Sequence, residues 1–190
     1  MFNTYLELGI NHILDIEGYD HILFIIALCA VFGIKDWKKI LILATAFTIG
    51  HSITLAMAAL DMVKFPAKVI EVLIPVTIII TAITNILRSS RKEGEDFPKW
   101  NYYLPLFFGL IHGLGFSTFF RALMGKSSEV ILPLFAFNVG VELGQIVIIA
   151  ITMVLSFLLV NLAGLKRNYW NLAVSILAIV VSCYLIYEKI

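Results

Sequence analysis

The chain has 190 residues, of which 61% are hydrophobic and only 14% are charged, and its formal net charge is +1. Soluble domains are usually about 45–50% apolar and about 25% charged, so this composition predicts an integral membrane protein with one transmembrane domain over residues 1–190. The absence of a basic tract gives no support to a nucleic-acid partner.

Six apolar segments predict an all-α bundle, because a helix needs about 20 mainly apolar residues to cross a hydrocarbon core roughly 30 Å thick. They cover about residues 18–35, 39–60, 66–88, 102–123, 130–160 and 170–188. The first is the shortest. No basic stretch precedes it, so a cleavable signal is not predicted. The connection from Arg88 to Asn101 carries seven charges and predicts a solvated loop.

Lysine and arginine are unevenly divided between the two ends of these segments. One end carries nine of them, namely Lys35, Lys38, Lys39, Arg88, Arg91, Lys92, Lys99, Lys166 and Arg167. The other end carries five, namely Lys64, Lys68, Arg121, Lys126 and Lys189. Positive residues are retained on the cytoplasmic side. We therefore expect both termini to be extracytoplasmic, in a multi-pass protein of the bacterial cytoplasmic membrane.

All four histidines lie in or beside apolar segments, where polar groups are costly unless they face one another or a wet cavity. They are His12, His21, His51 and His112. The predicted topology brings them, with Asp20 and Glu142, to one cavity between the outer surface and the middle of the membrane. For Asp20 alone, capping of the first helix is the alternative role.

Other polar residues predict a lining for this cavity. Asn138, Glu142 and Gln145 are spaced i, i+4, i+7 and share one face of the fifth helix. Thr48 shares a face with His51, and Glu71 lies in the outer third of the third helix. Two alternatives stay open, because membrane hydroxyls often bond their own i−4 carbonyl and a histidine can form an interhelical hydrogen bond.

Imidazole nitrogen combined with carboxylate oxygen suits zinc, nickel, cobalt, iron or manganese, whereas Cu(I) prefers sulfur ligands. The predicted cofactor is therefore a divalent transition metal. Its candidate ligands are His12, Asp20, His21, His51, His112 and Glu142. Cys29 and Cys183 lie in apolar runs and are predicted to be buried small residues without a disulfide.

Four strings resemble the HupE/UreJ family of hydrogenase- and urease-accessory membrane proteins. They are Gly18 to His21 (GYDH), Phe47 to Leu55 (FTIGHSITL), Gly109 to Phe116 (GLIHGLGF) and Phe137 to Gln145 (FNVGVELGQ). The resemblance implies a nickel or cobalt carrier. The family pattern also has a histidine four residues before the glycine of the first string. In this chain that position is Leu14, and His12 lies two residues upstream of it. In the third string Gly115 stands where the family has a glutamate.

Three functions remain open from the sequence, and the oligomeric state is left undetermined. The first is the metal carrier, in which the bilayer and the metal ion are the partners. The second is an intramembrane zinc hydrolase, in which three histidines hold the metal and leave one position for a water. Asp20 or Glu142 would then act as the general base, and Ser52 would stabilise the developing oxyanion. The third is electron transfer with His51 and His112 as haem ligands. The inner halves of the helices carry few polar groups, mainly Thr81, Thr84 and Asn85, so an inward path is not evident.

Overall fold

The computed structural model describes residues 2–89, 102–124 and 130–190, and in these ranges it contains no β-strand. The helices are α1 (Phe2–Leu14), α2 (Asp20–Cys29), α3 (Trp37–Ala59), α4 (Ala67–Ser89), α5 (Tyr103–Met124), α6 (Ile131–Ser156) and α7 (Arg167–Lys189). A 3-10 turn, Ile34–Asp36, precedes α3, and a π-helical segment, Phe157–Leu162, continues α6. Most of the predicted charged loop, residues 90–101, lies outside the described ranges.

Among the described residues, five helical stretches are long and apolar enough to cross a membrane, which confirms the all-α membrane class. They are Ile34–Ala59, Ala67–Arg88, Tyr103–Leu123, Ile131–Leu162 and Arg167–Lys189. The prediction of one further continuous span over residues 18–35 is wrong in its extent. Those residues form the ten-residue helix α2 and then turn at Gly33, whose backbone is extended (φ −94°, ψ 171°). At 1.5 Å per residue α2 is about 15 Å long, which is half the hydrocarbon thickness.

Helix α1 is absent from the sequence prediction, and it packs closely along α6. Gly9 lies against the backbone carbonyl of Phe137, and Gly140 lies against that of Leu6, so a Cβ at either glycine would overlap the neighbouring helix. Gly144 faces Ile13 one turn further along both helices. Because the contacting positions rise together, α1 and α6 run parallel. Small residues at these contacts let two membrane helices approach to backbone distance.

The same device joins α3 and α5, the pair of helices with the most extensive packing. Gly50 contacts the carbonyl of Leu106, and Gly109 contacts the carbonyl of Phe47. Gly113 contacts the carbonyl of His51, so α3 and α5 are parallel and in fixed register. This register brings His51 of α3 beside the residue before Gly113, which is His112.

One end of the bundle, called here the Asp61 end, carries a network of ion pairs. Asp61 terminates α3 with φ 60° and pairs with Arg121 at 2.7 Å and Lys64 at 3.2 Å. The hydrogen bond from Lys64 and the charge of Arg121 lower the pKa of the Asp61 carboxyl below its ordinary value. The C-terminal residue Ile190 accepts a hydrogen bond from Lys68 at this end.

At the opposite end, called here the Arg167 end, the guanidinium of Arg167 bridges two segments of the described chain. Nη1 of Arg167, at the start of α7, donates to the carbonyl of Phe32 at 2.7 Å and to Oγ of Ser156 at 2.8 Å. This contact ties the segment after α2 to the end of α6. Of the two free cysteines, Cys29 is buried as predicted, whereas Cys183 is exposed on α7, so the prediction for Cys183 is wrong.

Candidate metal centre

Three histidines from three different helices converge inside the bundle. One ring nitrogen from each of His12, His21 and His51 lies within 4.8 Å of the other two. His21 and His51 are buried, and His12 is partly buried. The centroids of the His12 and His21 rings are 4.6 Å apart, and those of His12 and His51 are 5.8 Å apart. We call these residues the three-histidine group.

The ring nitrogens of this group lack protein partners. Nε2 of His12, Nε2 of His21 and both nitrogens of His51 are buried and make no well-formed hydrogen bond to a described protein atom, although the side chain of Asn138 lies within hydrogen-bonding reach of His51. More than about 90% of buried polar groups in proteins have a hydrogen-bond partner, so four such nitrogens in one place are unusual. A lone pair on an imidazole nitrogen is also a metal ligand, and a shared ion satisfies three of these nitrogens at once.

Asp20 orients His21 and does not join the three-histidine group. Its Oδ1 accepts from the backbone N–H of His21 at 2.8 Å and lies 2.9 Å from Nδ1 of the same residue. The carboxylate is an acceptor only, so in the neutral imidazole it selects the tautomer with the proton on Nδ1 and the lone pair on Nε2. Metal-bound histidines typically donate their second N–H to a carboxylate in this way, which fixes the ring and raises its basicity.

His112 is buried next to the three-histidine group, with its ring centroid 5.1 Å from that of His21. Its Nε2 lies 3.0 Å from Oγ1 of Thr77, and Nδ1 is buried without a protein partner. Because the Thr77 hydroxyl donates to the carbonyl of Ile74 at 2.6 Å, it accepts from Nε2–H of His112. His112 therefore presents the lone pair of Nδ1. Sequence reasoning missed Thr77, although its spacing of four residues from Thr81 was a usable signal.

Two of the predicted lining residues on α6 lie beside α3. The side chain of Asn138 lies within hydrogen-bonding reach of the His51 ring, and its Nδ2 donates to the carbonyl of Leu134 at 2.8 Å. Gln145 is buried and its Oε1 accepts from the hydroxyl of Thr48 at 3.0 Å. The α3–α6 interface next to the three-histidine group is therefore polar.

The structure does not bring three other predicted site residues into the histidine cluster. Oε1 of Glu142 accepts from the hydroxyl of Thr45 at 2.6 Å, a partner that sequence reasoning missed. The side chain of Glu71 is 46% exposed and faces Lys189 at 3.6 Å, so it does not line the site. The hydroxyl of Ser52 donates to the carbonyl of Thr48 one turn earlier, which is the ordinary role of serine in a membrane helix.

Aromatic rings enclose the cluster. The His12 ring lies against Phe116, with centroids 4.0 Å apart, and the His51 ring is stacked with Phe137 at 6.2 Å. Phe47 lies 5.0 Å from the ring of His112. These phenylalanines are non-polar at the sequence level and gave no functional signal. They keep the imidazoles in a low-dielectric surrounding, and their close packing gives no support to a flat haem between His51 and His112.

The nitrogens of the three-histidine group can bind one small transition-metal ion if the three rings move slightly closer together. Tetrahedral metal–nitrogen bonds of 2.0–2.1 Å place ligand nitrogens about 3.3 Å apart. The observed limit of 4.8 Å therefore requires each ring to move inward by less than about 1 Å. Side-chain rotation of this size is ordinary when a ligand binds. Neutral imidazoles favour nickel, cobalt, copper or zinc over the hard cations magnesium and calcium.

The fold and the site together define a multi-pass membrane protein with a buried histidine cluster that is suited to a transition metal. The family model described as HupE / UreJ protein matches residues 1–189, and the chain belongs to that family. The family is associated with nickel and cobalt accessory or transport roles. No curated protein and no solved structure matches the chain.

Replacing Asp20 by asparagine is expected to weaken metal binding without removing a ligand nitrogen. The amide cannot fix the His21 ring as a carboxylate does, and loss of such a partner typically lowers metal affinity about 10–100-fold. Isothermal titration of the purified protein with Ni²⁺ measures the change. Asp15→Asn is the matched control, since Asp15 is exposed in the loop that precedes α2. An affinity equal to that of the wild type would contradict the positioning role of Asp20.

Proposed function

We propose that the chain is a carrier that moves a divalent transition metal, nickel or cobalt, across the bilayer. The observation that supports this most is the three-histidine group, in which buried nitrogens without protein partners come from three helices. His12, His21 and His51 bind the ion transiently, Asp20 orients His21, and Asn138 stands ready to accept from the second N–H of His51. Here the ion is the cargo and not a resident cofactor.

The short helices α1 and α2 together form a sixth crossing of the membrane, in addition to the five long helices. α1 and α2 are about 20 Å and about 15 Å long, and their summed length exceeds a hydrocarbon core of roughly 30 Å. Their junction lies at the site, because His12 is near the end of α1 and His21 is the second residue of α2. Discontinuous helices of this kind commonly form ion sites in transporters. Six crossings also agree with the proximity of both described termini, Phe2 and Ile190, to the Asp61 end.

The orientation follows from the distribution of positive charge. The Arg167 end carries the larger share of lysine and arginine, so the positive-inside rule assigns it to the cytoplasm. The Asp61 end is then extracytoplasmic, and so are both termini. His51 lies eight residues before the end of α3, which corresponds to a depth of about 12 Å from that surface. The ion thus enters from the extracytoplasmic side and loses its water on reaching the histidines.

The hydrolase hypothesis has weaker support than the carrier. Its three assigned residues have other partners, because Asp20 bonds to His21, Ser52 bonds to a backbone carbonyl and Glu142 bonds to Thr45. A hydrolytic site needs a base and an oxyanion donor that face the open metal position. The three-histidine set by itself remains compatible with zinc chemistry.

Uptake of Ni²⁺ and Co²⁺ into proteoliposomes tests the proposed function. The wild type is expected to show saturable uptake, and the His12→Ala variant is expected to lose at least nine-tenths of it. Asn11→Ala, on the exposed side of the same helix, serves as the matched control and should transport normally. Tightly held, stoichiometric zinc together with no uptake of either ion would overturn the carrier and favour the hydrolase.

A further inference from the structure

A line of polar groups on α4 leads away from the three-histidine group towards the Arg167 end. Thr77 contacts Nε2 of His112, and the hydroxyl of Thr81 donates to the carbonyl of Thr77 at 2.9 Å. Asn85, one turn further, donates to the carbonyl of Ala27 at 2.7 Å. Spacing of four residues places Thr77, Thr81 and Asn85 on one face of the helix over about 12 Å.

This line ends in a cavity between α2, α3, α4 and the first turns of α5. The cavity measures about 40 Å³ and is lined mainly by apolar side chains, while its polar residues Thr81, Thr84, Asn85 and Arg88 all come from α4. A buried water needs about 10–15 Å³ on this measure, so the cavity has room for about three waters. Thr81 belongs to both features, since it lines the cavity and bonds to the residue that contacts His112.

We infer that the ion leaves the three-histidine group through His112 and reaches this cavity along Thr77 and Thr81. The inference rests on the proposed carrier function and names its inward path. Nδ1 of His112 is the next unpartnered nitrogen after the group, and the hydroxyls of Thr77 and Thr81 offer oxygen to an ion that has left it.

The polar contacts between α3 and α6 do not offer an equivalent path. On the α3–α6 side, Thr48 bonds to Gln145 and Thr45 bonds to Glu142. Thr45 is exposed on the outside of the bundle, so this line leads to the lateral surface of the protein. Moving a charged ion towards the hydrocarbon core costs free energy, and this favours the route along α4.

The test removes one hydroxyl with little change of shape. Thr81→Val is expected to lower Ni²⁺ uptake into proteoliposomes at least tenfold while the dissociation constant for Ni²⁺ stays within twofold. Thr152→Val is the matched control, since Thr152 is also buried and bonds to its own helix, at Ile148. That variant should keep normal uptake. Normal uptake in Thr81→Val, beside a transporting wild type, would overturn this path and leave the carrier intact.

Thiol labelling gives a second readout that does not depend on transport. In a protein with Cys29→Ala and Cys183→Ser, the Thr81→Cys variant should react with Ag⁺, a thiol-binding cation small enough for this cavity, added at the Arg167 end. We expect it to react at least ten times faster than Thr152→Cys. Equal rates for the two variants would overturn the path. A wild type that binds Ni²⁺ but carries none would instead refute the proposed function, and this inference with it.

Discussion

Replacement of His51 by alanine is expected to abolish tight metal binding and transport together. His51 is the most deeply buried member of the three-histidine group, and Asn138 is the protein side chain beside its ring nitrogens. Loss of a partner that only orients a ligand costs about 10–100-fold in affinity, so loss of a ligand itself should exceed about 100-fold. Isothermal titration with Ni²⁺ and uptake into proteoliposomes measure the two effects.

His112→Ala separates ligation from passage. His112 lies beside the group but outside it, so its loss should change the Ni²⁺ affinity by less than tenfold while uptake falls strongly. Circular dichroism and elution as a single species should show that both variants are folded. If His51→Ala binds Ni²⁺ as the wild type does, the assignment of the three-histidine group is wrong.

Replacement of Gly109 by alanine is expected to cause a large loss of stability from a single added methyl group. A Cβ at this position would overlap the carbonyl of Phe47 and the backbone N of His51, and neither can rotate away. Overpacking in a well-packed core typically costs about 1–3 kcal/mol, and a clash with backbone belongs at the upper end, about 3 kcal/mol. The midpoint of thermal unfolding in detergent measures the loss.

Gly115→Ala is the matched control in the same helix. There the added Cβ would meet chiefly the flexible end of Ile74, with Cδ1 at 2.8 Å, which can adopt another rotamer. Both substitutions gain the same helix propensity, about 1 kcal/mol, so their difference isolates the clash. Equal unfolding midpoints for the two variants would show that α3 and α5 do not pack at backbone distance.

Much of the fold was predictable because the membrane imposes a simple length rule. The long apolar segments from residue 39 onward correspond to the five long helical stretches. Helix α1 was missed because its 13 residues are too few for a span and include Glu7 and Asn11. A signal was nevertheless present, since Phe2, Tyr5, Leu6, Gly9, Ile10 and Ile13 follow helical spacing.

The convergence of the histidines was also predictable, because a buried imidazole in an apolar segment needs a polar neighbour. The sequence could not predict that Glu71 lies at the surface whereas Asn138 lies beside His51. In a membrane helix the lipid-facing and core-facing sides are both apolar, so periodicity does not tell which side a lone polar residue occupies. Packing decides this, and the packing depends on glycine contacts between helices distant in sequence.

The most direct test of the three-histidine group is the coordination of nickel in the purified protein. Nickel-edge X-ray absorption, combined with metal analysis, counts the bound ions and the imidazole ligands around each one. We predict one Ni²⁺ per chain with three histidine nitrogens, and loss of that signal when His12, His21 and His51 are all replaced by alanine. Nickel bound without imidazole ligands, or retained by the triple variant, would contradict the account.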